Sequence, residues 1–202
     1  MRYHLIATTL VVTVVLLVTA AVNVGASPAR DQLEASIDAI IQILKDDTLA
    51  GEANTERRRE ALRKMFFERF DFEKTSQLSL GRHWRDKTPT ERKTFVDLFS
   101  TLMENNYVSK IESYTDEKVN FVKEQIRGKK AQINTIIVTD NIEIPIDYRM
   151  YQTDTGQWLV YDIVIEGVSL VANYRAQFAR MLESDSFASL LKELEQKTNP
   201  DS

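Results

Sequence analysis

The stretch Trp158 to Phe178, WLVYDIVIEGVSLVANYRAQF, constrains the fold more than any other. Its first half alternates. Trp158, Val160, Asp162, Val164 and Glu166 point one way and Leu159, Tyr161, Ile163 and Ile165 the other, the period of two that a strand imposes. Both faces are largely apolar, so this strand needs cover on each side and belongs inside a sheet. After Gly167 the period changes: Val168, Val171, Ala172, Phe178 and Leu182 share one helical stripe, with Asn173, Arg175, Gln177 and Arg180 around it. A strand therefore runs through a glycine corner into an amphipathic helix, and the remaining chain must supply a large apolar partner surface.

The 202 residues, 43% of them hydrophobic with only 6 Gly and 4 Pro, suffice for one good core, so a single domain is expected over residues 27–202. The net charge is -4. A chain that tracks phosphates along a nucleic acid usually carries a basic excess or stripe, so no nucleic acid is expected as a partner. The densest basic cluster, Arg57, Arg58 and Arg59 with Arg63 and Lys64, is interleaved with Glu56, Glu60 and Glu68 and reads as a solvated helix face with pairs one turn apart.

The N-terminus reads as an export signal over residues 1–26. Arg2 gives a positive start, Leu5 to Val22 is an uncharged apolar run, and Val24-Gly25-Ala26 ends in small residues, which places cleavage after Ala26. An uncleaved anchor is the alternative, since the run is at the lower limit for spanning a bilayer. The chain has no Cys, which removes both a disulfide framework and a lipid-modified Cys. For a bacterial source, the expected location is the periplasm.

In the mature chain, Leu33, Ile37, Ile40, Ile41 and Leu44 mark a helix from Ala29 to Lys45, and a second runs from Thr55 or Glu56 to Phe70 with Leu62, Met65 and Phe66 on one side. Asp71 caps a short third helix that stops at Gly81. Thr88-Pro89-Thr90-Glu91 is a capping box opening a helix with Phe95, Leu98, Phe99, Leu102, Met103 and Tyr107 as a wide apolar stripe. Strands are expected near Lys118 to Gln125, Lys130 to Thr139, Ile142 to Gln152 and Gln157 to Glu166, broken at Gly128, Asp140-Asn141 and Asp154-Thr155-Gly156. Connections this short make consecutive strands antiparallel, a four-stranded meander. Pro145 inside the third strand suggests a bulge or an unpaired edge. A last helix carries Phe187, Leu190, Leu191 and Leu194.

Catalytic and metal-binding groups are scarce. The mature chain has one His, His83, and no Cys, so a Cys nucleophile is impossible and a metal site would have at most one imidazole ligand. Asp162 and Glu166, four apart on one strand face, read as partners of cations such as Arg149 or Arg175, with an acid and base couple as the alternative. No enzyme activity and no cofactor or metal is expected. The excess of apolar and aromatic surface is either all core or the wall of a cavity for an apolar ligand, and composition does not separate the two.

Two signatures do. Phe70-Asp71-Phe72, Leu78-Ser79-Leu80-Gly81-Arg82-His83-Trp84, Thr88-Pro89, Phe95-Val96 and Phe99 form the first. The second is Ile144-Pro145-Ile146-Asp147-Tyr148-Arg149 followed by Trp158 to Phe178. In order and spacing they resemble the periplasmic phospholipid-binding proteins of the Mla (maintenance of lipid asymmetry) system, the MlaC or toluene-tolerance family. The resemblance covers about Ala29 to Lys197 and implies an α+β fold: the meander as a curved antiparallel sheet, wrapped by about six helices and enclosing a deep apolar pocket. It implies a monomeric carrier that holds the acyl chains of a glycerophospholipid as cargo and shuttles it between an outer-membrane lipoprotein and porin complex and an inner-membrane ABC transporter with an MCE-domain ring. The alternative is an exported binding protein for another apolar compound, a solvent or an isoprenoid.

On that reading Ile144, Ile146, Tyr148 and Met150 share one strand face toward the pocket, and Val160 and Val164 share another. The helix after Gly167 is expected to present Val168, Val171 and Tyr174 at the mouth, facing Phe99 and Met103. It acts there either as a moving lip, with Gly167 needing a positive φ or a close approach, or as a fixed lid beyond a plain turn.

Overall fold

The computed structural model describes residues 26–112, 118–139 and 142–199. The leader read at the N-terminus lies, Ala26 apart, outside the described residues, as do the break read at Asp140-Asn141 and the last three residues, 200–202. Among these residues six α-helices and a five-stranded antiparallel sheet make an α+β fold, with the sheet curved and its strands in the sequential order of a meander.

The chain opens with α1, Pro28–Lys45, started by Pro28 and by the Ser27 hydroxyl accepting from Arg30 N at 3.2 Å. Helix α2 spans Thr55–Arg69 and α3 Phe72–Leu80, the latter capped by Asp71 and closed by Gly81 at φ 60°. The Arg175 side chain comes back to this end and donates from Nε to the Leu78 carbonyl at 2.7 Å, satisfying a free carbonyl with a cation. Helix α4, Pro89–Glu112, begins with the expected box: Glu91 N donates to the Thr88 hydroxyl at 3.2 Å and Thr88 N donates to the Glu91 carboxylate at 2.8 Å.

Strands β1 (Lys118–Arg127), β2 (Lys130–Val138), β3 (Glu143–Gln152) and β4 (Trp158–Ile165) follow the sequence reading closely. A fifth strand, β5 (Val168–Ser169), was not expected. Glu166 and Gly167 both take positive φ, 49° and 83°, the conformation of a tight two-residue hairpin, so the chain pairs back on β4 before it turns helical. Helix α5 therefore spans Leu170–Ser184, with Ser169 as its N-cap, and α6 spans Phe187–Thr198. A Cβ on Gly167 would meet nothing within 4 Å, so this glycine serves the positive φ and not a close approach.

Pro145 causes no bulge. It pairs in register with Ile136, and its carbonyl accepts from Glu166 N at 3.0 Å, so its missing donor faces the side where β4 has ended. The bulges lie elsewhere, at Val122 in β1 and at Tyr161 in β4. The core joins the sheet's inner face to an aromatic cluster in which Phe99 lies edge-on to Tyr174 and Phe178, at 4.8 and 5.3 Å between ring centres.

Candidate functional site

Helices α1, α2 and α4 and the inner face of the sheet surround a cavity of about 480 Å³. Its wall begins with the stripe of α1. Leu33 is buried, while Ile37, Ile40, Ile41 and Leu44 keep part of their surface turned to the space. Helix α2 adds Met65, Phe66 and Phe67, the link to α3 adds Phe70, and α4 adds Met103, Tyr107 and Ile111. The sheet supplies Val119, Ile137, Ile144, Ile146, Tyr148, Val160, Ile163 and Ile165, and Leu170 closes the wall at the start of α5. Aliphatic and aromatic groups facing open space forgo the contacts a packed interior would give them. An apolar chain placed there would restore them.

Few polar groups reach the cavity, and they are paired. The Arg69 guanidinium donates to the Ser36 hydroxyl at 2.8 Å, the Gln32 amide oxygen at 2.9 Å and the Trp158 carbonyl at 2.7 Å, tying α2 to α1 and β4. Burial pushes its pKa down. Arg63 donates from Nε to both carboxylate oxygens of Glu104, each at 2.8 Å, across the gap between α2 and α4. Burial pushes the Tyr107 phenol up, with Tyr174 adding to it. Among the lining residues the exposed ones are Arg63, 53% open, and Phe67, 51% open, one helical turn apart on α2; the rim runs past them.

The eleven residues singled out from sequence divide in three. Ile144, Ile146, Tyr148, Val160 and Met103 line the cavity. Met150, Phe99 and Tyr174 are buried in the core instead: Met150 sits beyond the cavity where β3 meets β4, and the two rings pack in the aromatic cluster. Val164 and Val171 are buried away from the cavity, and Val168 is 56% exposed on β5.

The placement of Val164 has a definite cause. At Tyr161 β4 carries one residue more than β3, so Met150 pairs with Val160 but Tyr148 with Ile163 and Ile146 with Ile165. From that point the inward face is Ile163 and Ile165, and Asp162 and Val164 turn outward. The residues expected at a helix lip are not brought to the cavity: the chain pairs back as β5 before α5 begins, and of the residues from Val168 to Ser184 only Leu170 lines the cavity. Sequence reading missed the α1 wall, though its apolar stripe was visible, because spacing alone does not distinguish a stripe facing a core from one facing a cavity.

Among the described residues no group of three or more His, Asp or Glu side chains could hold a metal ion. The His83 imidazole accepts from Arg82 Nε at 3.4 Å, outside the cavity. Asp162 is bound to Arg149 at 2.8 Å, while Glu166 is exposed at the hairpin, so the two carboxylates form no couple.

These features define a class: α+β domains in which helices and a curved sheet enclose an apolar cavity. The chain belongs to the MlaC protein family, whose model matches residues 34–196. It is 23% identical over 125 residues to the intermembrane phospholipid transport system binding protein MlaC of Haemophilus influenzae, a match spanning 59% of this chain and 58% of that relative. Its fold is similar to that of a phospholipid-binding protein from Ralstonia solanacearum solved in complex with a phospholipid, with a TM-score of 0.78 and 22% identity over 86% of this chain and 98% of the other.

Proposed function

We propose that this protein is a periplasmic carrier that holds a glycerophospholipid by its acyl chains and passes it between an outer-membrane lipoprotein and porin complex and an inner-membrane MCE-domain ABC transporter. The observation that carries this reading is the apolar cavity between α1, α2, α4 and the sheet, rimmed by a charged pair. Each buried CH₂ contributes about 0.8 kcal/mol, so a dozen acyl methylenes supply about 10 kcal/mol without a covalent bond. No bond is made or broken in the cargo, and release requires a partner that widens the cavity. The family and the relative's role as a binding protein of an intermembrane phospholipid transport system support the same reading.

The test is transfer of a fluorescent phospholipid from donor to acceptor vesicles. The protein is expected to raise the transfer rate in proportion to its concentration, and Ile146→Asp, which puts a charge into the cavity wall, to abolish the effect while leaving the fold intact. Transfer unaffected by wild-type protein would overturn the carrier reading. For the export signal, the mature chain is expected to start at Ser27 and to be released by osmotic shock without detergent. An intact N-terminus in the membrane fraction would show an anchor.

A further inference from the structure

We propose that Arg63 binds the phosphodiester of the cargo's headgroup through the two terminal guanidinium nitrogens that its pairing with Glu104 leaves open. This rests on the reading of the cavity as a phospholipid site. A glycerophospholipid is apolar along its chains and anionic at its phosphate, and burying that phosphate without donors is costly. The phosphate therefore belongs at the rim, beside a cation that reaches both water and the cavity.

The cavity holds two guanidinium groups, and their bonding separates them. Arg69 spends Nε and Nη1 on Ser36, Gln32 and the Trp158 carbonyl, which fixes it as a structural tie. Arg63 makes both its contacts from Nε, and among the described residues Nη1 and Nη2 make no hydrogen bond. It is also the more open, at 53%, and lies one turn from the exposed rim residue Phe67. A guanidinium offers five N–H donors in a planar fork, so a carboxylate on the Nε edge and a phosphate on the Nη edge can be held together. Glu104, only 16% open on α4, is then a positioning residue: it fixes the plane of the fork. The other arginines bridging α2 to α4 pair with Glu112 and do not line the cavity: Arg59 Nε lies 3.3 Å and Arg58 Nε 3.5 Å from its carboxylate.

The test compares, on the delipidated protein, binding of a phosphatidylethanolamine and of the diacylglycerol with the same acyl chains, by displacement of a fluorescent fatty acid. Charge-assisted bonds to the phosphate should make wild type prefer the phospholipid by about tenfold or more. Arg63→Ala should bring that ratio to within about twofold of unity through the phospholipid alone. Arg63→Ala retaining the wild-type ratio would overturn the assignment. Glu112→Gln, which loosens the α2–α4 bridges made by Arg58 and Arg59, separates the role from helix bracing: the preference should persist, whereas a loss equal to that of Arg63→Ala would mean that Arg63 only holds α2 to α4. Inorganic phosphate binding as tightly as the phospholipid, in an Arg63-dependent way, would make this a free-anion site and equally overturn the headgroup role. Wild type binding neither lipid would remove the carrier reading and this assignment together.

Discussion

Asp162, 2% exposed, is surrounded by donors: Arg149 Nη1 at 2.8 Å, the Ser169 hydroxyl at 2.7 Å and the backbone N of Val171 at 3.0 Å. The last belongs to the first turn of α5, where the free N–H groups and the helix dipole favour an anion. One side chain thus joins β3, β4, β5 and α5, and Asp162→Ala is expected to cost about 2–4 kcal/mol in urea unfolding, since three donors lose their acceptor at once. Arg149 as the partner of Asp162 was legible in the sequence; the helix terminus was not, because β5 was not. On the same outward face Tyr151 donates to the Asp71 carboxylate. Burial first and then that carboxylate push its phenol up to about 12, from an ordinary 10. A raised folded-state value means that the neutral phenol is favoured in the fold: its contribution is complete below pH 10 and is lost as the pH rises toward 12. Melting temperatures across that interval should fall more steeply for wild type than for Tyr151→Phe, and parallel curves would contradict this.

Among the elements, α1 departs furthest from a simple reading. A stripe of Leu33, Ile37, Ile40, Ile41 and Leu44 normally serves a core, yet four of the five retain surface, because the sheet opposite stands off and the space between is the cavity. Ile40→Asp should therefore reduce bound lipid about tenfold or more with little change in melting temperature, whereas a residue packed in a core would lose stability first. Helix α5 is the converse case. Val171 and Tyr174 pack away from the cavity, so a disulfide placed between α5 and α4, in a chain with no other Cys, is expected to leave transfer rates equal in oxidised and reduced protein. Slower transfer when oxidised would restore the moving lip. The four long strands, the capping box and the helix stripes were readable because each depends on local periodicity or on a cap within four residues. The face of β4 beyond Tyr161 was not, because one bulged residue reverses every later side chain and its signal lies in the pairing with β3.

For the whole molecule, the arrangement of charge follows from the cavity. The apolar lining leaves few places for polar groups, and those present either brace helices, as Arg69 does, or stand at the rim, as Arg63 and Glu104 do. The β4 side of the sheet is covered as well: the first half of β4 by the bridge to Phe70, with Asp71 N donating to the Val160 carbonyl at 2.8 Å, and the second half by β5. Family resemblance in the sequence pointed to a pocket, but its walls could be assigned only once the helices were placed around the sheet. If this space holds a phospholipid as proposed, native mass spectrometry of the protein purified without added lipid will show a mass increment equal to one glycerophospholipid, absent in Ile146→Asp; a wild-type protein that carries no lipid, or carries an apolar compound without a phosphate, would overturn the carrier reading.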